Sequence, residues 1–175
     1  SWICNAQNNL IDEAWFGRKD VFNTEYADEQ GHHKWKTTEG CIIFPEGKSW
    51  KDYVRDIRLE ITCGEAPYLI SRYDTTTGET IPLEQRIGLL DRKLRVVSEN
   101  TSTSGEWLEW AQEAYKSTYG YEWQGDNLLI YACLFCGVFS TEIWQMPFTE
   151  IYQLHRLHHF VERMADGRIK RCHSK

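Results

Sequence analysis

The alternation of apolar and polar positions predicts helices most clearly in the middle of the chain. Ser49 stands at a helix N-cap position with Asp52 three residues on, the spacing of a capping pair. Trp50, Tyr53, Val54 and Ile57 then follow at i, i+3, i+4 and i+7, one face of a helix. The next stretch, LEITC, changes period. Leu59, Ile61 and Cys63 alternate with Glu60 and Thr62, predicting a half-buried strand with the first three inward. Pro82 suits a first helical turn. From there Leu83, Ile87, Leu90, Leu94 and Val97 form a stripe. A second helix follows over 101–120, with Trp107, Trp110 or Ala111, Ala114, Tyr115 and Tyr119 apolar and Gly120 as its stop.

Elsewhere the pattern is weaker. Residues 1–35 mix aromatics with turn formers and predict short strands or irregular structure. CIIFPEG at 41–47 reads as a short strand stopped by Pro45 and Gly47. Residues 74–80 and 122–127 read as loops. A last helix starts at Pro147 or Thr149 and ends at Gly167, with Leu154, Leu157, His158, Val161 and Met164 apolar. There is no internal repeat and no low-complexity tract. The fold class expected is α+β: a small sheet packed against two or three helices. The body spans 1–128, and a zinc-stabilised hairpin-helix region with a basic tail spans 129–175.

Composition supports a folded chain. Of 175 residues, 41% are hydrophobic and 14% aromatic, too many for a disordered segment. The formal net charge of −6 is uneven. From Arg156 onward six Lys/Arg face two Asp/Glu, so the first 155 residues carry −10. An acidic body lacks the broad positive stripe of a DNA-coating surface. It suits docking on a basic, nucleic-acid-binding protein. No 18-residue apolar run predicts a membrane span, and the first residues lack the pattern of a signal peptide. A cytoplasmic, reducing location is therefore expected, where cysteine serves as ligand, nucleophile or small core residue.

One cysteine pair points to chemistry. Cys133-Leu134-Phe135-Cys136-Gly137 has the form of a metal knuckle, the glycine permitting a tight backbone turn. Eighteen residues separate Cys136 from His155, and His159 follows at i+4, so that both project from one helix face. His158 is the neighbouring alternative. A redox pair normally opens a helix, and no helix-starting residue follows this one. Two buried core thiols in an apolar strand are the plain alternative to zinc. A structural site fits better than a catalytic one, because no His-Glu-x-x-His occurs although Glu162 lies on the helix. A second group, Cys4, His32, His33, Cys41 and Cys63, contains no knuckle, and Cys172 in the tail is an accessory candidate. No phosphate-binding loop, dinucleotide fingerprint or nucleophile elbow is present, so no catalytic residue is assigned.

Three resemblances follow from these residues. Residues 131–159, with Tyr131, Phe139 and Leu154 around the four ligands, resemble a Cys2His2 zinc finger with a lengthened spacer. Residues 2–128 resemble proteins identified as restriction endonuclease subunit M. The runs that carry this are WICNAQNNLIDEAWFGRKDVFNTE, DYVRDIRLEITCGEAPYLISRYDTTTGETIPLEQRIGLLDRKLRVVSEN and YGYEWQGDNLLI. The resemblance implies a link to bacterial defence and DNA, without supplying cofactor-binding or target-base motifs. A short, acidic chain without enzymatic motifs also looks like a type II anti-CRISPR protein. The function expected is therefore a zinc-containing, non-catalytic inhibitor from a phage or mobile element. It would bind a bacterial CRISPR-Cas nuclease of the Cas9 type and block its DNA binding. The alternative is an accessory or DNA-binding module of a restriction–modification methyltransferase subunit.

Overall fold

A computed structural model describes residues 1–74 and 76–124. The expected zinc-finger-like region, the helix predicted in it and the tail lie outside the described residues. The described body has the order α1 (Trp2–Phe16), β1 (Asn23–Ala27), β2 (His33–Thr37), α2 (Trp50–Arg55), β3 (Arg58–Ile61), a 3-10 turn (Leu83–Gln85), α3 (Leu89–Asn100), α4 (Ser104–Lys116) and β4 (Thr118–Tyr121). Two two-stranded sheets accompany four helices. β1 and β2 are antiparallel, while β3 and β4 are parallel. The class is α+β, as expected.

The first element departs from the expectation of strands or irregular structure. α1 is a fifteen-residue helix, closed by Gly17 at φ 71°, whose N–H reaches the Glu13 carbonyl. Its inward face is polar. Asn5, Asn8 and Asp12 are buried, whereas Trp2, Ile3, Leu10 and Ile11 are exposed. A search for an apolar stripe finds none here because the stripe that faces the core is made of amides and a carboxylate. Those groups are all bonded inward. Asn8 Nδ2 donates to the carbonyls of Tyr68 and Ile87, each at 2.9 Å. Asn5 Nδ2 donates to Asn23 Oδ1 and Glu25 Oε1 on β1. Arg92 of α3 donates to Asp12 Oδ2 at 2.6 Å, to Asn5 Oδ1 at 3.0 Å and to Asn9 Oδ1 at 2.8 Å.

α2 starts as the sequence predicts. The Ser49 side chain accepts from the Asp52 N–H and the Asp52 carboxylate accepts from the Ser49 N–H, a capping box. Ile57 is not on its buried face. The helix stops at Arg55 and Ile57 is exposed. Residues 41–44 form no strand ladder, and Pro45–Lys48 is a turn with Lys48 N–H bonded to the Pro45 carbonyl. Proline lacks the N–H that a central ladder needs, so the predicted strand at 41–47 does not form. α3 begins at Leu89 rather than at Pro82, which instead precedes the 3-10 turn. Of the predicted stripe, Ile87, Leu90, Leu94 and Val97 are buried, while Leu83 is half-buried in the 3-10 turn and not on the helix. Before it, Gly88 lies so close to the chain at Leu69 that an added Cβ would overlap the Leu69 carbonyl and sit 2.5 Å from Asp91 Oδ2. No other residue fits that crossing. α4 buries Trp107, Trp110, Ala111, Ala114 and Tyr115 as predicted. It ends at Lys116, so Tyr119 and Gly120 belong to β4.

The core joins these helices to the segments before them. Phe16, Val21, Phe22, Tyr53 and Val54 pack with Leu90, Leu94, Trp107 and Trp110. An aromatic group of Trp15, Phe16, Phe22 and Tyr53 sits where α1, the β1 entrance and α2 converge, with Phe16 and Tyr53 ring centres 5.3 Å apart.

Candidate functional site

The strand after α2 turns the predicted alternation inside out. Arg58 is buried and Glu60 half-buried, while Leu59 and Ile61 are 57% and 65% exposed. The cause is the chemistry beneath the sheet. Arg58 pairs with Asp56 and lies 3.7 Å from Asp12 Oδ1, and its guanidinium sits over the Tyr53 ring. Burying it there obliges its neighbours on the strand to face outward, because successive side chains alternate. β4 follows the same phase. Thr118 is buried, and Tyr119 and Tyr121 are 39% and 47% exposed.

The parallel register sets Leu59 beside Tyr119 and Ile61 beside Tyr121. Ile57, just before β3, and Trp123, just after β4, are exposed as well. Among the described residues, the outer surface of this ribbon thus carries Leu59, Ile61, Tyr119 and Tyr121 exposed side by side. Parallel strands are normally covered on both faces, and aromatic side chains in a contiguous exposed patch are the composition of a docking surface.

Under the patch are two ionisable groups with displaced titration. Lys93 is fully buried. Its Nζ donates to the Asp56 carbonyl and to Ser117 Oγ, both at 2.6 Å, and to the Ser117 carbonyl at 3.2 Å. These acceptors are the ends of α2 and α4, so the amine ties both helices to α3. Burial, with a smaller contribution from the Arg58 charge, lowers its pKa to about 7. Glu60 is raised to about 7 by burial, against the opposing pull of the Leu69 and Tyr68 N–H groups.

The candidate ligands in the body are scattered. The Cys4 thiol is half-buried beside Tyr68, and burial raises its pKa. Cys63 is buried and raised to about 11 by burial, with Glu60 and Glu122 adding to it. Cys41 is exposed on a different segment. His32 Nδ1 contacts Asp28 at 3.1 Å, and the His33 ring stacks on Trp2 at 3.9 Å. Among the described residues no three His, Cys, Asp or Glu side chains converge to hold a metal. Cys133, Cys136, His155, His159, the alternative His158 and Cys172 lie outside the described residues. No helix among the described residues is long and apolar enough to cross a membrane.

Sequence reasoning missed the β3–β4 patch because the strand's apolar residues were assigned to the interior. The signal that finds it is the pair Arg58 and Glu60, which share the other phase of the strand. No family model matches the chain, and neither a curated protein nor a solved structure matches it.

Half-buried Glu60 and buried Lys93 make stability depend on pH in opposite directions. For Glu60 the folded pKa lies above the ordinary value of about 4.3. The folded form then holds a proton the unfolded chain has lost, so this group's contribution falls as pH rises from about 4.3 to about 7. For Lys93 the unfolded chain holds the extra proton, so its contribution rises from pH about 7 towards about 10.4. Urea unfolding of wild type, Glu60→Gln and Lys93→Met across this range should show the falling limb flattened in the first variant and the rising limb flattened in the second.

Proposed function

We propose that the chain is a non-catalytic binding protein that docks through the outer face of β3–β4 onto a basic, nucleic-acid-binding protein. The observation that carries this reading is the exposed pairs Leu59–Tyr119 and Ile61–Tyr121, with exposed Ile57 and Trp123 at the strand ends, on an acidic body. Residues 1–124 contain 14 Lys and Arg against 21 Asp and Glu. Three of those cations, Arg58, Arg92 and Lys93, are buried, as are only two of the carboxylates, Asp12 and Asp91. The exterior is therefore more acidic than the composition, and long-range attraction favours a positively charged partner. Aromatic anchors supply the contact energy of such surfaces, and charge supplies steering and specificity.

The partner proposed first is a CRISPR-Cas nuclease, whose DNA-binding surface is basic; occupying it would block DNA. The likeness to type II anti-CRISPR proteins supports this choice. The second reading, an accessory module of a restriction–modification methyltransferase subunit, is favoured by the runs over residues 2–128, which form most of the described body. A structural zinc held by Cys133, Cys136, His155 and His159 is part of the proposal in both cases, as the element that anchors the basic end.

Size-exclusion and titration with a candidate nuclease should give a stoichiometric complex that weakens as salt is raised. Tyr121→Asp and Ile61→Asp should each lower affinity at least tenfold, with the thermal midpoint little changed because both side chains face outward. No complex with the nuclease, together with retention of duplex DNA at low salt, would move the assignment to the restriction–modification reading. For the metal, elemental analysis of the purified chain should find one zinc, lost on Cys133→Ser or His155→Ala. Metal-free protein, or variants with full metal content, would remove zinc from the account.

A further inference from the structure

α1 has a polar inward face and an apolar outward one. Asn5, Asn8 and Asp12 are buried against the body. On the outward side Ile3, Leu10 and Ile11 are 51%, 64% and 38% exposed, with exposed Gln7 and Ala14 and half-buried Ala6 among them. None of these six residues carries a charge. Ile3, Gln7, Leu10 and Ala14 follow at i, i+4, i+7 and i+11, the spacing of a seam between two helices, and the alanines let a second backbone come close. A helix face left to water normally carries charged and polar residues. An uncharged apolar one marks a contact.

The size of the stripe selects its occupant. A second copy of the chain would have to hold on by this stripe alone. A standard interface buries about 800 Å² on each partner, and three large side chains, each already partly covered, supply far less. A segment of the same chain escapes most of the cost of association, because its tether keeps it at an effective concentration on the order of millimolar. The sequence contains such a segment. The pattern of residues 147–167 predicts a helix with Leu154, Leu157, Val161 and Met164 on one side. At 3.6 residues per turn His155 and His159 fall on another side of that pattern, so a metal held by them would leave the apolar side to be covered.

Reach and charge both allow this seat. The chain leaves β4 close to residues that touch α1: Asn8 donates to the Tyr68 carbonyl, the Tyr68 N–H reaches Glu60 of β3, and Glu122, next after β4, accepts from the Gly64 N–H at 2.7 Å. From Gln124 to Pro147 there are 22 intervening residues. These span up to about 70 Å, against a radius of gyration of about 14 Å for a body of this length. Residues 1–124 hold 14 Lys and Arg against 21 Asp and Glu, while from Arg156 onward six face two, so the basic end is drawn to the body. We infer that the outward stripe of α1 seats the apolar side of segment 147–167 of the same chain. This seat uses no residue of the β3–β4 face, so it leaves that face to a partner and does not depend on the docking proposal.

The test is amide hydrogen exchange of the full chain, read by mass spectrometry, with sedimentation to give the mass in solution. The wild type should sediment as a monomer, with residues 149–166 exchanging at least tenfold more slowly than an unstructured chain. Leu10→Lys and Ala14→Lys each place a positive charge on the seat, facing a basic segment. Each should speed exchange across 149–166 at least tenfold while α3 keeps its wild-type rate, which shows that the body is still folded. Leu157→Asp should do the same from the other side, and combining it with Leu10→Lys should give no further increase. Exchange of 149–166 at the unstructured rate in the wild type, or unchanged protection in the folded α1 variants, would overturn the assignment. So would a dimer that Leu10→Lys dissociates, which would give the seat to a second copy.

Discussion

The body depends on one buried ion pair, Asp12 of α1 with Arg92 of α3. Both side chains are almost fully enclosed and the Nη1–Oδ2 distance is 2.6 Å. Charges taken out of water are tolerated only when paired and hydrogen-bonded, and here both conditions are met on nearly every side. Tyr53 donates its hydroxyl to the other Asp12 oxygen at 2.9 Å. Asn5 and Asn9 occupy Arg92 Nη2. Asn5 and Asn9 in turn bond Asn23 and Glu25. One connected network therefore fixes α1 against α3, α2 and the β1 strand. A helix with an apolar inner face could slide or rotate at modest cost. This one cannot, because any other register strands a buried charge.

The same constraint explains which parts of the fold were legible in the sequence. α2, α3 and α4 pack by apolar stripes and by an Ser49–Asp52 cap, and those signals are local and periodic. α1 packs by amides and a carboxylate, so its period lies in Asn5, Asn8 and Asp12, residues that ordinarily mark turns and surfaces. Its polar partner Arg92 is 80 residues away in the chain, and no local pattern announces it. The β3 strand was misread for a related reason. Arg58 joins the Asp12 environment from below, and its inward direction sends Leu59 and Ile61 outward. The patch that the function proposal uses was therefore hidden by the reading that hydrophobic means inside. The metal ligands expected at the C-terminal end are a different matter: their spacing was legible, and their placement lies outside the described residues.

Putting cations inside and apolar residues outside has a consequence for binding. The exterior becomes more acidic than the composition, since Arg58, Arg92 and Lys93 contribute nothing to the surface.

The most direct test of the central claim is a double-mutant cycle on Asp12→Asn and Arg92→Met, read by urea unfolding at neutral pH. Each single change should cost about 3–5 kcal/mol, because it leaves one buried charge without its partner. The double variant should recover part of this, giving a coupling energy of about 2 kcal/mol or more. Single changes that cost under about 1 kcal/mol, or losses that add without coupling, would contradict the account that this pair holds the body together.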